Sequence, residues 1–354
     1  AMESTAQLFL GTRIQCAKCH NHPFERWTQS NYYGLASFFN RVERRKTDQP
    51  EEVILWSRNS GEVHHPADGR IMKPWVPVAG DLSIPDDQDR RIALAEWLTT
   101  PENPFFARVE VNRIWAQVTG RGIVEPFDDF RDSNPPANAS LLDSLAQDFV
   151  EHHFDRQHIL RTILNSRTYQ ADSRPSQFNR DDNKYFSHYM PRQLTAEQLV
   201  DSLGQVAGRP KPFALVAPDT KATWLPAPDL QPHDRSKLGE IDFLKVFGQP
   251  ERQSVCECDR GDDSSLGQAL ELLNGDFINR LLTDGNNRLH HNVRINRPLN
   301  EVIVELYRLA LSRYPSESEL NHSLAYAASH SSREQALEDI CWAILNKDEF
   351  LFQH

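Results

Sequence analysis

Over most of this chain apolar residues recur every three to four positions, the spacing that gives a helix one apolar face. Residues 4–46 read as helical, broken at Cys16-Ala17-Lys18-Cys19-His20. From Thr28 to Arg45 the positions Tyr32, Leu35, Ala36, Phe39 and Val42 predict one amphipathic helix with Thr28 as N-cap, and Arg41–Lys46 as its solvated, basic end. The period then changes. Val53-Ile54-Leu55-Trp56 and Glu62-Val63-His64-His65 read as short strands separated by Asn59-Ser60-Gly61, and Asp68-Gly69 turns the chain into Arg70–Val76. This predicts a small antiparallel hairpin or meander near residues 53–78, kept to sheet edges by Pro66, Pro74 and Pro77. From Asp86 onward helices are predicted over 87–99, 104–118, 139–153, 156–167, 194–207, 264–273, 275–283, 298–312, 316–330 and 332–345. Thr195 before Gln198 and Ser316 before Glu319 have the capping-box spacing. Segment 208–252 is rich in Pro, Gly and Asp, has little periodicity, and reads as a long surface connection. The expected fold is mostly α, a multi-helix chain with a small β insertion and a domain boundary near 80–87, dividing 1–85 from 86–354.

Composition narrows the function classes. The 354 residues are long enough for two domains. No run approaches the ~20 apolar residues that span a bilayer. A net charge of −11 argues against nucleic acid as partner, because a basic face is what displaces phosphate counterions. The opening Ala1-Met2-Glu3-Ser4-Thr5 has no basic and apolar leader, so any export signal is expected upstream of this chain. Five cysteines, at 16, 19, 256, 258 and 341, are too few for a disulfide scaffold. Cys341 shares an apolar helix face with Ile340 and Ile344 and is expected in the core.

The chemistry concentrates at residues 16–20. Cys-x-x-Cys-His is the spacing for covalent haem c: Cys16 and Cys19 add to the two vinyl groups, and His20 offers a neutral imidazole nitrogen to the iron. Arg13, Lys18 and Arg26 place positive charge nearby, suited to propionates. For the second axial position His65 is the first candidate, then His64 and Met72, all in the hairpin that follows. The same residue types also fit zinc, and Cys16, Cys19, His20 or His22, Cys256 and Cys258 form the rival metal set. Cys256 and Cys258 are too close in sequence to bridge each other easily. Asp128, Asp129 and Asp132 lack calcium-loop spacing and read as a solvated loop. His152 and His153 end a helix, where imidazolium favours the dipole. No phosphate loop, nucleophile elbow or His-Glu-x-x-His helix is present.

Longer strings resemble a known domain pair. Arg13–Gln29 followed by Tyr32–Phe39 is similar to the end of the planctomycete cytochrome domain PSCyt2 (DUF1549). Leu94–Thr99, Asn103–Val109, Val111–Trp115, Ser166–Gln170, Arg192–Leu199, Val255–Arg260, Trp342–Asn346 and Glu349–His354 resemble its usual neighbour PSD1 (DUF1553). The resemblance implies an exported, extracytoplasmic protein of c-type cytochrome character whose first PSCyt2 portion lies outside this chain. It also implies a redox partner or an upstream haem domain and, by analogy with fusion partners, a link to polysaccharide breakdown. One departure is visible: the family commonly has His where this chain has Asn138. The leading expectation is therefore a haem c protein in electron transfer, or a haem-dependent oxidoreductase. A zinc-dependent enzyme or binding module, and a cofactor-free structural interaction domain, remain the alternatives.

Overall fold

The computed structural model describes residues 1–48, 52–209, 217, 220–225, 243–250 and 265–353. They form two compact units, Ala1–Met190 and Pro191–His354. Both are mostly helical, and every sheet among the described residues is an antiparallel pair of strands. No helix among these residues is long and apolar enough to cross a membrane.

The first unit opens with α1 (Met2–Leu10) and a 3-10 turn (Gln15–Lys18), followed by α2 (Gln29–Ala36). Met2, Ala6, Leu10, Ile14 and Ala17 make one stripe at three-to-four-residue spacing. That stripe is buried against Trp27, Tyr32, Leu35, Phe38, Val76, Leu94 and Leu98, each large side chain stabilising by roughly 1.5–3 kcal/mol. Gly11 ends α1 in the left-handed region, and a Cβ there would sit 2.5 Å from the Phe130 ring. Three two-stranded sheets follow: β1 (Val42–Lys46) with β2 (Val53–Ser57), β3 (Val63–His64) with β4 (Ile71–Met72), and β5 (Trp75–Val76) with β6 (Gly80–Asp81). The unit continues with α3 (Arg90–Leu98), α4 (Phe106–Thr119), α5 (Ala139–Glu151) and α6 (Arg156–Leu164). Val111, Ile114, Trp115, Leu142, Phe149, Ile159 and Ile163 form a second core between the last three.

The helix expected over 28–45 stops at Ala36. Thr28 caps it as predicted, with a reciprocal bond from Asn31. At the other end the Ser37 hydroxyl donates to the Gly34 carbonyl at 2.7 Å, and Val42–Lys46 then pair residue for residue with Ser57–Val53. Arg41 is thus no solvated helix end. It is buried, 2.8 Å from Glu62, and Arg90 donates to both oxygens of the same carboxylate at 2.8 and 2.9 Å. Burial pushes the Glu62 carboxyl up, but the hydrogen bonds from Arg41 and Arg90 outweigh it and hold the group below the usual carboxylate range.

The second unit contains α7 (Ala196–Ala207), short helical pieces at 222–224 and 243–246, α8 (Leu266–Asn274), α9 (Asp276–Thr283), α10 (Arg288–Arg294), α11 (Leu299–Leu311), α12 (Glu317–Ser329), α13 (Arg333–Leu345) and α14 (Asp348–Leu351). β7 (Arg192–Gln193) pairs with β8 (Phe352–Gln353), closing the unit's end onto its beginning. Both capping boxes expected at Thr195 and Ser316 are present. Of the connection read as surface, Ala222, Phe243, Leu244 and Phe247 are buried in the core with Leu203, Ile278 and Leu306. Phe243, Leu244 and Phe247 are three apolar residues within one helical turn, enough to enter a core without a longer period. Cys341 is fully buried, as expected, and burial pushes its thiol up to about 12.

Candidate functional site

The motif's geometry follows from one small residue. Ala17 is 0% exposed and belongs to the α1–α2 core, while Cys16, Lys18, Cys19 and His20 on either side of it are exposed. The turn is closed by Ala17 N–H donating to the Ile14 carbonyl at 3.0 Å and Cys19 N–H to the Cys16 carbonyl at 3.4 Å. Pinning Ala17 inward therefore turns both thiols and the imidazole outward. α2 holds the turn from behind: Gln29 Nε2 donates to the Lys18 and Cys19 carbonyls at 3.0 and 3.1 Å, and the Tyr33 hydroxyl donates to Lys18 at 3.2 Å.

The imidazoles near the motif differ in tautomer. His20 Nδ1 lies 2.7 Å from the Asn21 carbonyl, an acceptor, so Nδ1 carries the hydrogen and Nε2 keeps a free lone pair. His22 is arranged the other way: its Nδ1 accepts from the Phe24 and Glu25 N–H groups at 3.3 and 3.0 Å. His65 is 8% exposed, its Nδ1 lies 3.3 Å from Ala67 N–H and 3.5 Å from Asp68 Oδ1, and its ring centroid lies 6.1 Å from that of Tyr33. With the hydrogen on Nδ1, facing Asp68, its Nε2 would be available to a metal at the expense of the Ala67 bond. His64 is exposed and has the His20 pattern, with Nδ1 3.0 Å from the Gly69 carbonyl. Met72 is buried beside a cavity of about 610 Å³ that Glu62, Lys73, Pro74 and Arg90 also line.

The remaining candidates are spread out. Arg13 is committed to Asp128 at 2.8 Å, and Gln7 bonds the same carboxylate. Asp129 is held by Arg131, so Asp128 and Asp129 are buried, paired groups and not a solvated loop. Arg26 stacks over Trp27 and Phe105, which leaves Lys18 as the basic group exposed on the motif turn itself. Cys256 and Cys258 lie outside the described residues. Among the described residues, Cys16, Cys19, His20 and His22 do not converge as a three-ligand group, whereas Asp148, His152 and His158 do. The sequence reading placed His152 at a helix end and missed that convergence.

The PSD1 family, described as a protein of unknown function (DUF1553), matches residues 90–327. That span is more than half of the 354 residues. The chain belongs to the PSD1 family. In this PSD1 chain, residues 1–44 also match PSCyt2, a protein of unknown function (DUF1549), and carry the cysteine motif. The PSD1 match opens on the first residue of α3, and β2 to β6 lie between the two matches. No curated protein and no solved structure matches the chain. At the departure noted above, Asn138 caps α5 by accepting from Leu141 N–H at 3.0 Å, a role that needs a side-chain acceptor close to the backbone.

Proposed function

We propose that residues 16–20 are a covalent haem c attachment site and that the protein is an extracytoplasmic redox protein. The observation that carries this reading is the alternation of burial at the motif: Ala17 buried, with Cys16, Cys19 and His20 presented to solvent on one turn. In this reading Cys16 and Cys19 would hold the macrocycle through their sulfurs, and His20, oriented by the Asn21 carbonyl, would be the residue to hold the iron. A haem held there would supply one-electron redox chemistry at its iron. Gln29 and Tyr33 keep the turn rigid, and Lys18 stands free to meet a propionate or an acidic partner surface. His64 and His65 are the residues that would supply a second imidazole to the iron, each with an acceptor beside its Nδ1. Electron transfer to a partner protein or an upstream haem domain, with a carbohydrate-linked role, is the corresponding physiological proposal.

The test is the protein made in a host with haem-attachment machinery. Sharp reduced α and β bands, a pyridine haemochrome and haem that survives acid–acetone extraction are expected, and Cys16→Ser with Cys19→Ser abolishes the covalent fraction. One of His64→Ala and His65→Ala is expected to change the spin state of the spectrum, which identifies the second imidazole. A colourless protein from that host sinks the reading. Stoichiometric zinc at the cysteines would then favour the metal site, and intact disulfides without metal the structural domain.

A further inference from the structure

The corner between α5 and α6 gathers three side chains that the haem reading does not use. Asp148 and His152 stand one helical turn apart at the end of α5, and the chain then takes two successive left-handed residues, His153 at φ 54° and Phe154 at φ 61°. Neither is glycine, so the reversal is a strained one. Asp155 restarts the helix by accepting from the Gln157 and His158 N–H groups. The outcome is that the His158 ring lies flat on His152, with centroids 3.7 Å apart and planes 11° from parallel. Both rings point at Asp148: His152 Nδ1 is 2.9 Å from its backbone carbonyl and 3.0 Å from Oδ1, and His158 Nε2 is 2.9 Å from Oδ2. Each can bond there only by carrying a hydrogen on that nitrogen.

We propose that Asp148, His152 and His158 form a binding site for a divalent transition-metal ion of the zinc class. One ligand atom from each already lies within 4.8 Å of the others. Metal–ligand bonds of roughly 2.0–2.2 Å in a tetrahedron require ligand atoms about 3.3–3.6 Å apart and the ion in both ring planes, so the two stacked imidazoles splay apart as it binds. For the ion to bind, the hydrogen on each of these two nitrogens moves to the other nitrogen of its ring, so that two neutral imidazoles and the carboxylate offer lone pairs to the metal. Two imidazoles and a carboxylate select zinc, copper or nickel over calcium and magnesium, which demand oxygens. The side chains of Asp148, His152 and His158 are 30%, 49% and 29% exposed, so an ion can enter and water can complete its coordination.

Titrating the full chain with Co²⁺ tests this, because thiolate ligation at the cysteines gives an intense sulfur-to-metal band that imidazole and carboxylate ligands do not. One Co²⁺ bound without that band, and displaced by Zn²⁺, is expected. His158→Gln, His152→Gln and Asp148→Asn should each weaken it by at least about tenfold, since even groups one shell further out cost that much. Thermal unfolding of the metal-free variants checks that they fold. If one does not, the Cu²⁺ spectrum of the unaltered chain decides, two imidazole nitrogens supporting the site and fewer overturning it. Absence of a thiolate-free Co²⁺ site, or affinity unchanged in folded variants, overturns it outright.

Discussion

At the scale of single residues, the proposed haem site rests on a methyl group. Ala17 has no exposed surface, so a larger side chain there must push the turn off the α1–α2 core. Ala17→Leu is expected to destabilise by about 1–3 kcal/mol through overpacking. It should also lower covalent haem incorporation although no cysteine or histidine has changed. Thermal unfolding and haemochrome yield on the same samples check both halves. Glu62 is the second such residue, because it neutralises Arg41 and Arg90 together. Its folded carboxyl titrates below the unfolded value, so its contribution is complete above about pH 4.3 and fades as pH falls through the lowered value. Glu62→Gln is therefore expected to cost about 1–3 kcal/mol at neutral pH. The gap to the unaltered chain should close in acid, which urea unfolding at neutral and strongly acid pH would show.

At the scale of elements, the clearest conflict between propensity and packing is Gly34 in the middle of α2. Alanine is the better helix former by about 1 kcal/mol. A Cβ at 34, however, would lie 2.6 Å from Trp75 Cβ, an atom fixed to the backbone of β5 that cannot swing aside. Gly34→Ala should thus lower stability by about 1–2 kcal/mol net of propensity; a stabilised variant in urea unfolding would contradict this packing. The same contest explains what the sequence made legible. Helix starts were readable at Thr28, Thr195 and Ser316, where a side chain does the capping. The end of α2 was not, because Phe39 and Val42 continue the helical spacing by chance while the backbone leaves to pair with β2. Nor was α10, whose Arg-Leu-His-His-Asn-Val-Arg buries only Leu289 and Asn292 and so shows no apolar stripe. The convergence of Asp148, His152 and His158 depends on a left-handed turn made without glycine, for which no residue type gives a signal. By contrast the cysteine motif was visible at once, and the structure added what spacing cannot contain: which way each side chain points and which imidazole nitrogen is free.

At the scale of the whole molecule, the compact units meet in sequence at Met190–Pro191, while the two family matches are separated by residues 45–89. Folding units and family segments therefore need not coincide here: β5, which lies between the matches, and α3, which opens the second, complete the core that α1 and α2 begin through Val76, Leu94 and Leu98. Within the second unit the last elements are tied by charge. Arg313 donates to Glu319 at 2.8 and 2.9 Å and to Glu349 at 2.7 Å, and Lys347 donates to Glu319 at 2.7 Å. Hydrogen bonds from Arg313, followed by those from Lys347 and Ser316, hold the Glu319 carboxyl well below the usual range. Those bonds join the start of α12 to the segment running into α14, which lies beside the buried Cys341 core. Removing the carboxylate leaves two cations under-compensated, so Glu319→Gln is expected to cost about 1.5 kcal/mol, or roughly tenfold in the population of open states. Cys341 reports on that opening directly, because its thiol has no exposed surface until the unit unfolds. In pulse labelling of haem-free protein resolved by peptide mass, Cys16 and Cys19 should react at once in unaltered chain and variant alike. Cys341 should react about tenfold faster in Glu319→Gln, given opening that is fast relative to alkylation. Equal Cys341 rates in the two proteins would mean that the network carries no stability, and that these close contacts are the surface ion pairs of negligible worth that partly exposed charges commonly form.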